Sequence, residues 1–162
     1  MARIDLSPVD PPAPSGGEWV FRAIIENSHV AVIFADEAGI IRLWNAGAEE
    51  IFGWTKQEAL GHSMDLMIPE KYRARHWQGY FRTMKTGVTR YERQRLAVPA
   101  LTKTGTTISV EFNIVLLKTS TNKIAGIAAL LTDVTDRRQE DLALRRRLAD
   151  LEARCHEEVE KT

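Results

Sequence analysis

"IIRLWNAGAEEIFGWTKQEALGHSMDLMIP", residues 40–69, decides how this chain folds. It begins as a β-type run ending near Trp44. "AGAEEIFGW" (46–54) then reads as a short helix that stops at Gly53. In "TKQEALG" (55–61), Thr55 is followed three residues later by Glu58, the pattern of a capping box, and Gly61 closes the segment. "SMDLMIP" leads to Pro69.

Upstream, "VAVIFADEAGIIRLWN" (30–45) is two β-rich runs around "DEAG", acidic residues and a glycine that mark a hairpin. Before it, "EWVFRAIIEN" (18–27) places apolar residues at 20, 21, 24 and 25, which is helical spacing. The first seventeen residues carry prolines at 8, 11, 12 and 14 and glycines at 16 and 17, and read as a flexible arm.

Downstream, "EKYRARHWQGYFRTMKTG" (70–87) repeats Tyr72, His76, Tyr80 (or Gly79) and Thr83 (or Met84) at three-to-four spacing, and Gly87 can close that helix. Three β-type runs follow, "TRYERQRLAVP", "TTISVEFNIVLLK" and "KIAGIAALLTDV", separated by the turn segments "LTKTG" and "TSTN". Apolar residues at 108, 110, 112 and 114 alternate with polar ones, so one face of the middle strand is buried. By the same alternation Glu111 and Asn113 point to solvent or a partner. From Thr135 the chain is charged and helical, with Leu144, Leu148, Leu151 and Cys155 forming a short heptad seam. The order predicts an α+β domain over 18–135, a five-stranded antiparallel sheet with helices on one face, between an arm (1–17) and a helical tail (136–162). A cavity between sheet and helices is where a ligand would sit.

The 162 residues are 44% hydrophobic and 27% charged, values of a soluble globular protein. Twenty-two basic residues balance twenty-two acidic ones, which argues against nucleic acid or a membrane surface as partner. Cys155 is the only cysteine, so neither a disulfide framework nor a cysteine metal site can form. With no long apolar run and no signal peptide, the expectation is a complete cytoplasmic chain.

With "KTGTTISVEF" and "GIAALLTDVTDRR", the opening stretch resembles the PAS domain family over about residues 20–137. The resemblance lies in the asparagine-then-alanine step, the "FGW" triplet, the glycine before the hairpin strand and the closing "DVT". Members bind haem, flavins, small acids or nothing, so the fold does not fix function. Flavin photochemistry would need a cysteine inside the domain, which Cys155 is not.

Haem-binding PAS domains of oxygen-sensor kinases and of a haem-regulated phosphodiesterase carry their axial histidine on the longer helix, after a proline and a basic stretch. "IPEKYRARH" is similar, and the ungapped run from His76 to Gly105 matches the sensors. The resemblance thus implies haem b held by His76. It places Arg82 and Arg90 at the propionates, where either could instead be a solvated charge. Neutral imidazole is a good haem ligand, and arginine forks suit carboxylates. Leu96, Phe112 and Ile114 would line the opposite side, with small Ala128 and Ala129 leaving room for the macrocycle. Leu96 stands where the oxygen sensors have an arginine, and Gln94 where the phosphodiesterase has its methionine ligand. The alternative for His76 is a partly exposed helix histidine. His29, His62 and His156 read as solvated or capping residues.

Within the family, the arm, the "RHWQGYFRTM" helix and the short tail resemble the stand-alone haem enzymes of the N-nitroglycine lyase type. That implies an enzyme cleaving N-nitroglycine to nitrite, ammonium and glyoxylate, with Gln94 or Arg95 meeting the substrate carboxylate. A haem-based gas or redox sensor signalling to a separate partner is the alternative, and a cofactor-free dimerisation module the third. A homodimer through the first helix and the tail is expected in each.

Overall fold

The computed structural model describes residues 17–89 and 97–160. Helix α1 (Gly17–Asn27) leads into strands β1 (Ala31–Asp36) and β2 (Ile41–Trp44). Two short helices follow, α2 (Ala46–Phe52) and α3 (Lys56–Ala59), then a single 3-10 turn, Met64–Leu66. Helix α4 (Glu70–Thr86) precedes β3 (Ala97–Leu101), β4 (Thr107–Lys118) and β5 (Ile124–Asp133), and α5 (Thr135–Glu160) closes the chain. The strands pair antiparallel in the order β2-β1-β5-β4-β3. This is the α+β arrangement expected from the order of elements. Most of the run expected as the third strand, 90–96, lies outside the described residues, as do 1–16 of the arm.

The local signals act as their chemistry requires. Thr55 and Glu58 form the capping box, each side chain accepting from the other's backbone N–H. Gly53 ends α2 in the left-handed region at φ 76°, donating to the Glu49 carbonyl. The 3-10 turn was not foreseen; Ser63 caps it by accepting from the Asp65 N–H.

The sheet's inner face carries Ala31 and Ile33 of β1, Ile108 and Val110 of β4 and Leu131 of β5, packed on Trp44, Phe52, Ala59 and Met67. Trp44 and Phe52 are wholly buried, with ring centroids 5.5 Å apart. Each such side chain contributes roughly 2–3 kcal/mol through area removed from water. The Trp44 indole N–H donates to the Trp54 carbonyl at 2.9 Å, so the ring is buried without an orphaned donor.

Asn45 holds the first half together. Only 1% exposed, it accepts from the Val32 and Ala48 N–H groups and donates to the carbonyls of Ile25, Ser28 and Val30. One amide thereby caps α2, registers β1 and closes the end of α1. Gly47 is required beside it: a Cβ there would stand 2.6 Å from the Ser28 and Val30 carbonyl oxygens. Asn45→Ala leaves buried backbone groups without partners. It is expected to cost about 3 kcal/mol or more in denaturant unfolding; a loss below about 1 kcal/mol would contradict this role.

Candidate cofactor-binding site

Helix α4 starts after Pro69, and Gly87 closes it at φ 68° with its N–H on the Thr83 carbonyl. Its buried face follows the spacing read in the sequence in part. Tyr72 is exposed, whereas Trp77, Tyr80 and Met84 pack with Ala35, Ile114, Leu116 and Ile127. His76 is half-buried on the same side, its ring stacked at 6.0 Å on Tyr80 and edge-on to Trp77 at 5.2 Å.

Both neighbours are tethered. The Tyr80 hydroxyl reaches the carbonyls of Asp36 at 2.6 Å and Ala35 at 3.1 Å. The Trp77 indole N–H donates to Asp65 Oδ1 at 2.9 Å, and a Cβ on Gly39 would stand 2.2 Å from its six-membered ring. Gly39 therefore has two duties, the left-handed φ of 79° in the hairpin turn and room for the indole. Arg73 secures the 3-10 turn, donating to the Asp65 and Ile68 carbonyls.

Burial lowers the pKa of His76, against the opposing pull of the Asp65 carboxylate. The imidazole is thus held neutral, and its buried Nδ1 has no hydrogen-bond partner. A neutral imidazole with an unspent nitrogen, set between Trp77 and Tyr80, has the chemistry of an iron ligand.

The other expected site residues divide. Phe112, Ile114 and Ala129 all project from the inner face, Phe112 and Ala129 against the main cluster and Ile114 against the α4 cluster. Ala128 does not join them. It pairs with Val115 and Phe34, while Ala129 pairs with Ile114 and Ile33, so strand alternation puts Ala128 on the outer face. Arg82 is exposed and lies about 120° around α4 from His76 at 100° per residue. Arg90, Gln94, Arg95 and Leu96 lie outside the described residues, and so do the side chains of Cys155 and His156. His29 is exposed and pairs with Glu50 at 3.0 Å, and His62 is exposed. Glu111 on the outer face pairs with Arg137 of α5.

A cleft of about 350 Å³ opens between Trp54, His62, Asp65, Arg73 and Leu101, and a space of about 130 Å³ adjoins Phe112 and Leu130. His76 lines neither. Among the described residues no group of three or more His, Cys, Asp and Glu is arranged to hold a bare metal ion. Haem differs in needing a single protein ligand.

A family model described as PAS fold matches residues 20–134. The chain belongs to the PAS family. An uncharacterized protein of Azorhizobium caulinodans is 35% identical over 77% of this chain. The sensor protein FixL of Bradyrhizobium diazoefficiens is 39% identical over 36% of it. The oxygen sensor protein DosP of Escherichia coli is 23% identical over 76%. The matched PAS segment is 17%, 12% and 15% of those proteins' lengths respectively. No helix of the described residues is long and apolar enough to cross a membrane.

The residues that sequence reasoning missed are Asp65, Trp77 and Gly39. The turn "DEAG" and the helix were each recognised, but nothing in their spacing says that an indole of one fills the glycine gap of the other.

Burial, with the Asp36 carboxylate adding, raises the Tyr80 phenol above its ordinary 10.0. Unfolded tyrosine therefore ionises first, and the stability Tyr80 gives is present below pH 10 and drains as pH rises above it. Tyr80→Phe is expected to lose about 1–2 kcal/mol at neutral pH and to flatten the alkaline fall. Urea melts at pH 7 and above pH 10 check both.

Proposed function

We propose that this PAS domain is a haem-binding sensor module, with His76 as the protein's axial ligand. The observation that carries the reading is the half-buried, neutral imidazole on α4 whose buried nitrogen has no partner. The presence of a sensor protein and an oxygen sensor protein among the relatives supports it.

The chain's own residues divide the work. His76 would hold the iron. Ile114, packed with Trp77 and Tyr80, would offer apolar surface on the α4 side of the sheet. Arg82, exposed and without an ion pair among the described residues, is available to a propionate carboxylate at the protein's edge. Haem held this way would supply an iron able to bind a small ligand such as a diatomic gas. Tyr80 and Trp77 tie His76's helix to the β1–β2 hairpin, so a shift of α4 would reach the sheet edge.

A homodimer supports that output. Trp19, Phe21 and Ile24 of α1 and Leu144, Leu148 and Leu151 of α5 are exposed. Such apolar surface favours burial against a second copy. Sedimentation is expected to show a dimer that Phe21→Glu with Ile24→Glu weakens by about tenfold or more. A monomeric wild type would contradict it.

Reconstitution with haemin tests the cofactor reading. The wild type is expected to give a Soret band at one haem per chain, and His76→Ala to lose it. Stoichiometric binding that survives His76→Ala would overturn the assignment. The lyase reading rests on the arm, the "RHWQGYFRTM" helix and the short tail, and the same preparation decides it. Anaerobic incubation of the reduced protein with N-nitroglycine is expected to release no nitrite from a sensor, and catalytic nitrite release would make the domain a lyase.

A further inference from the structure

The geometry points to Asp65 and Trp77 as the pair that sets the plane of the His76 imidazole, and so the direction in which a haem would meet it. The haem half of this statement rests on the reading above; the orientation of the ring does not.

Ligating histidines are usually aimed by a hydrogen bond from their second ring nitrogen. His76 lacks that device whichever nitrogen meets the iron: its buried Nδ1 has no partner, and Nε2 makes no hydrogen bond among the described residues. What surrounds the ring instead is a pair of aromatic walls. Tyr80 lies near-parallel to it, at an interplanar angle of 29°, and Trp77 stands edge-on at 80°. An aromatic wall orients a neighbour only if it is itself immobile.

Trp77 is fixed at three points. Asp65 Oδ1 takes its N–H at 2.9 Å. Its six-membered ring occupies the space a Gly39 Cβ would fill. Phe81 stacks on it at 5.5 Å, tilted by 23°. Of these only the hydrogen bond has direction, so it fixes the indole's rotation about its own side-chain axis. Asp65 is in turn placed by backbone contacts, its N–H on Ser63 Oγ and its carbonyl taking an Arg73 N–H. The path therefore runs from the 3-10 turn through Asp65 and Trp77 to the imidazole. Asp65 and Trp77 are positioning residues: neither would touch the iron.

Two substitutions separate the hydrogen bond from the charge. Asp65→Asn keeps an acceptor oxygen and loses the charge; Asp65→Ala loses both. In the haem-free protein with ¹⁵N-labelled histidine, the His76 ring signals are expected to shift and broaden in Asp65→Ala and stay near wild type in Asp65→Asn. In the ferrous haem-loaded protein, the iron–histidine stretching band is expected to follow the same split. Haem transfer to apomyoglobin should be about tenfold faster from the alanine variant, as for loss of an outer-shell partner. If Asp65→Ala does not fold, Trp77→Phe removes the same N–H and carries the same expectation. Ring signals unchanged in the folded alanine variant would overturn the inference, as would an equal change in both Asp65 variants. A wild type that takes up no haem removes the cofactor reading, and the ring signals still decide this one.

Discussion

The fold depends on one buried amide. Asn45 satisfies five backbone groups drawn from α1, the 28–30 loop, β1 and α2. No apolar residue of that size could do this, because each of those groups would be buried without a partner at a cost of about 1–3 kcal/mol. The result is a β1–β2 hairpin in a fixed place relative to the short helices. The contacts that α4 makes with the hairpin follow from that placement.

The hairpin then acts as the seat of α4. Tyr80 reaches over to the carbonyls of Ala35 and Asp36, and Trp77 fills the gap left by Gly39. These buried, directional contacts outweigh the exposed ion pairs, such as Lys103 with Glu58, which contribute little individually. Because the helix is pinned at Trp77 and Tyr80, the residue before them is held too. His76 is held where burial keeps it neutral and leaves a nitrogen unspent. An imidazole in that state is costly to leave without a partner.

The architecture was largely legible. Alternation in β4, the capping box at Thr55, the glycines at 53 and 87 and the acidic hairpin turn are local signals, and the local structure obeys them. The site was legible only in part. His76 could be singled out by its place on α4. Ala128 could not be separated from Ala129 by the preference for small residues; strand register puts the two on opposite faces. Tyr72 fits the helical spacing as well as Tyr80 does, yet only Tyr80 is buried, because the hairpin reaches one part of the helix. Asp65, Trp77 and Gly39 are brought together by tertiary packing, which short-range patterns do not record.

The central claim is that the α4 imidazole is the haem ligand of this PAS domain. Anomalous diffraction from haem-loaded crystals at the iron edge tests it most directly. One iron peak per chain is expected at coordination distance from a ring nitrogen of His76, with the macrocycle against Ile114. An iron peak ligated by any other side chain, or a haem lying away from α4, would contradict it.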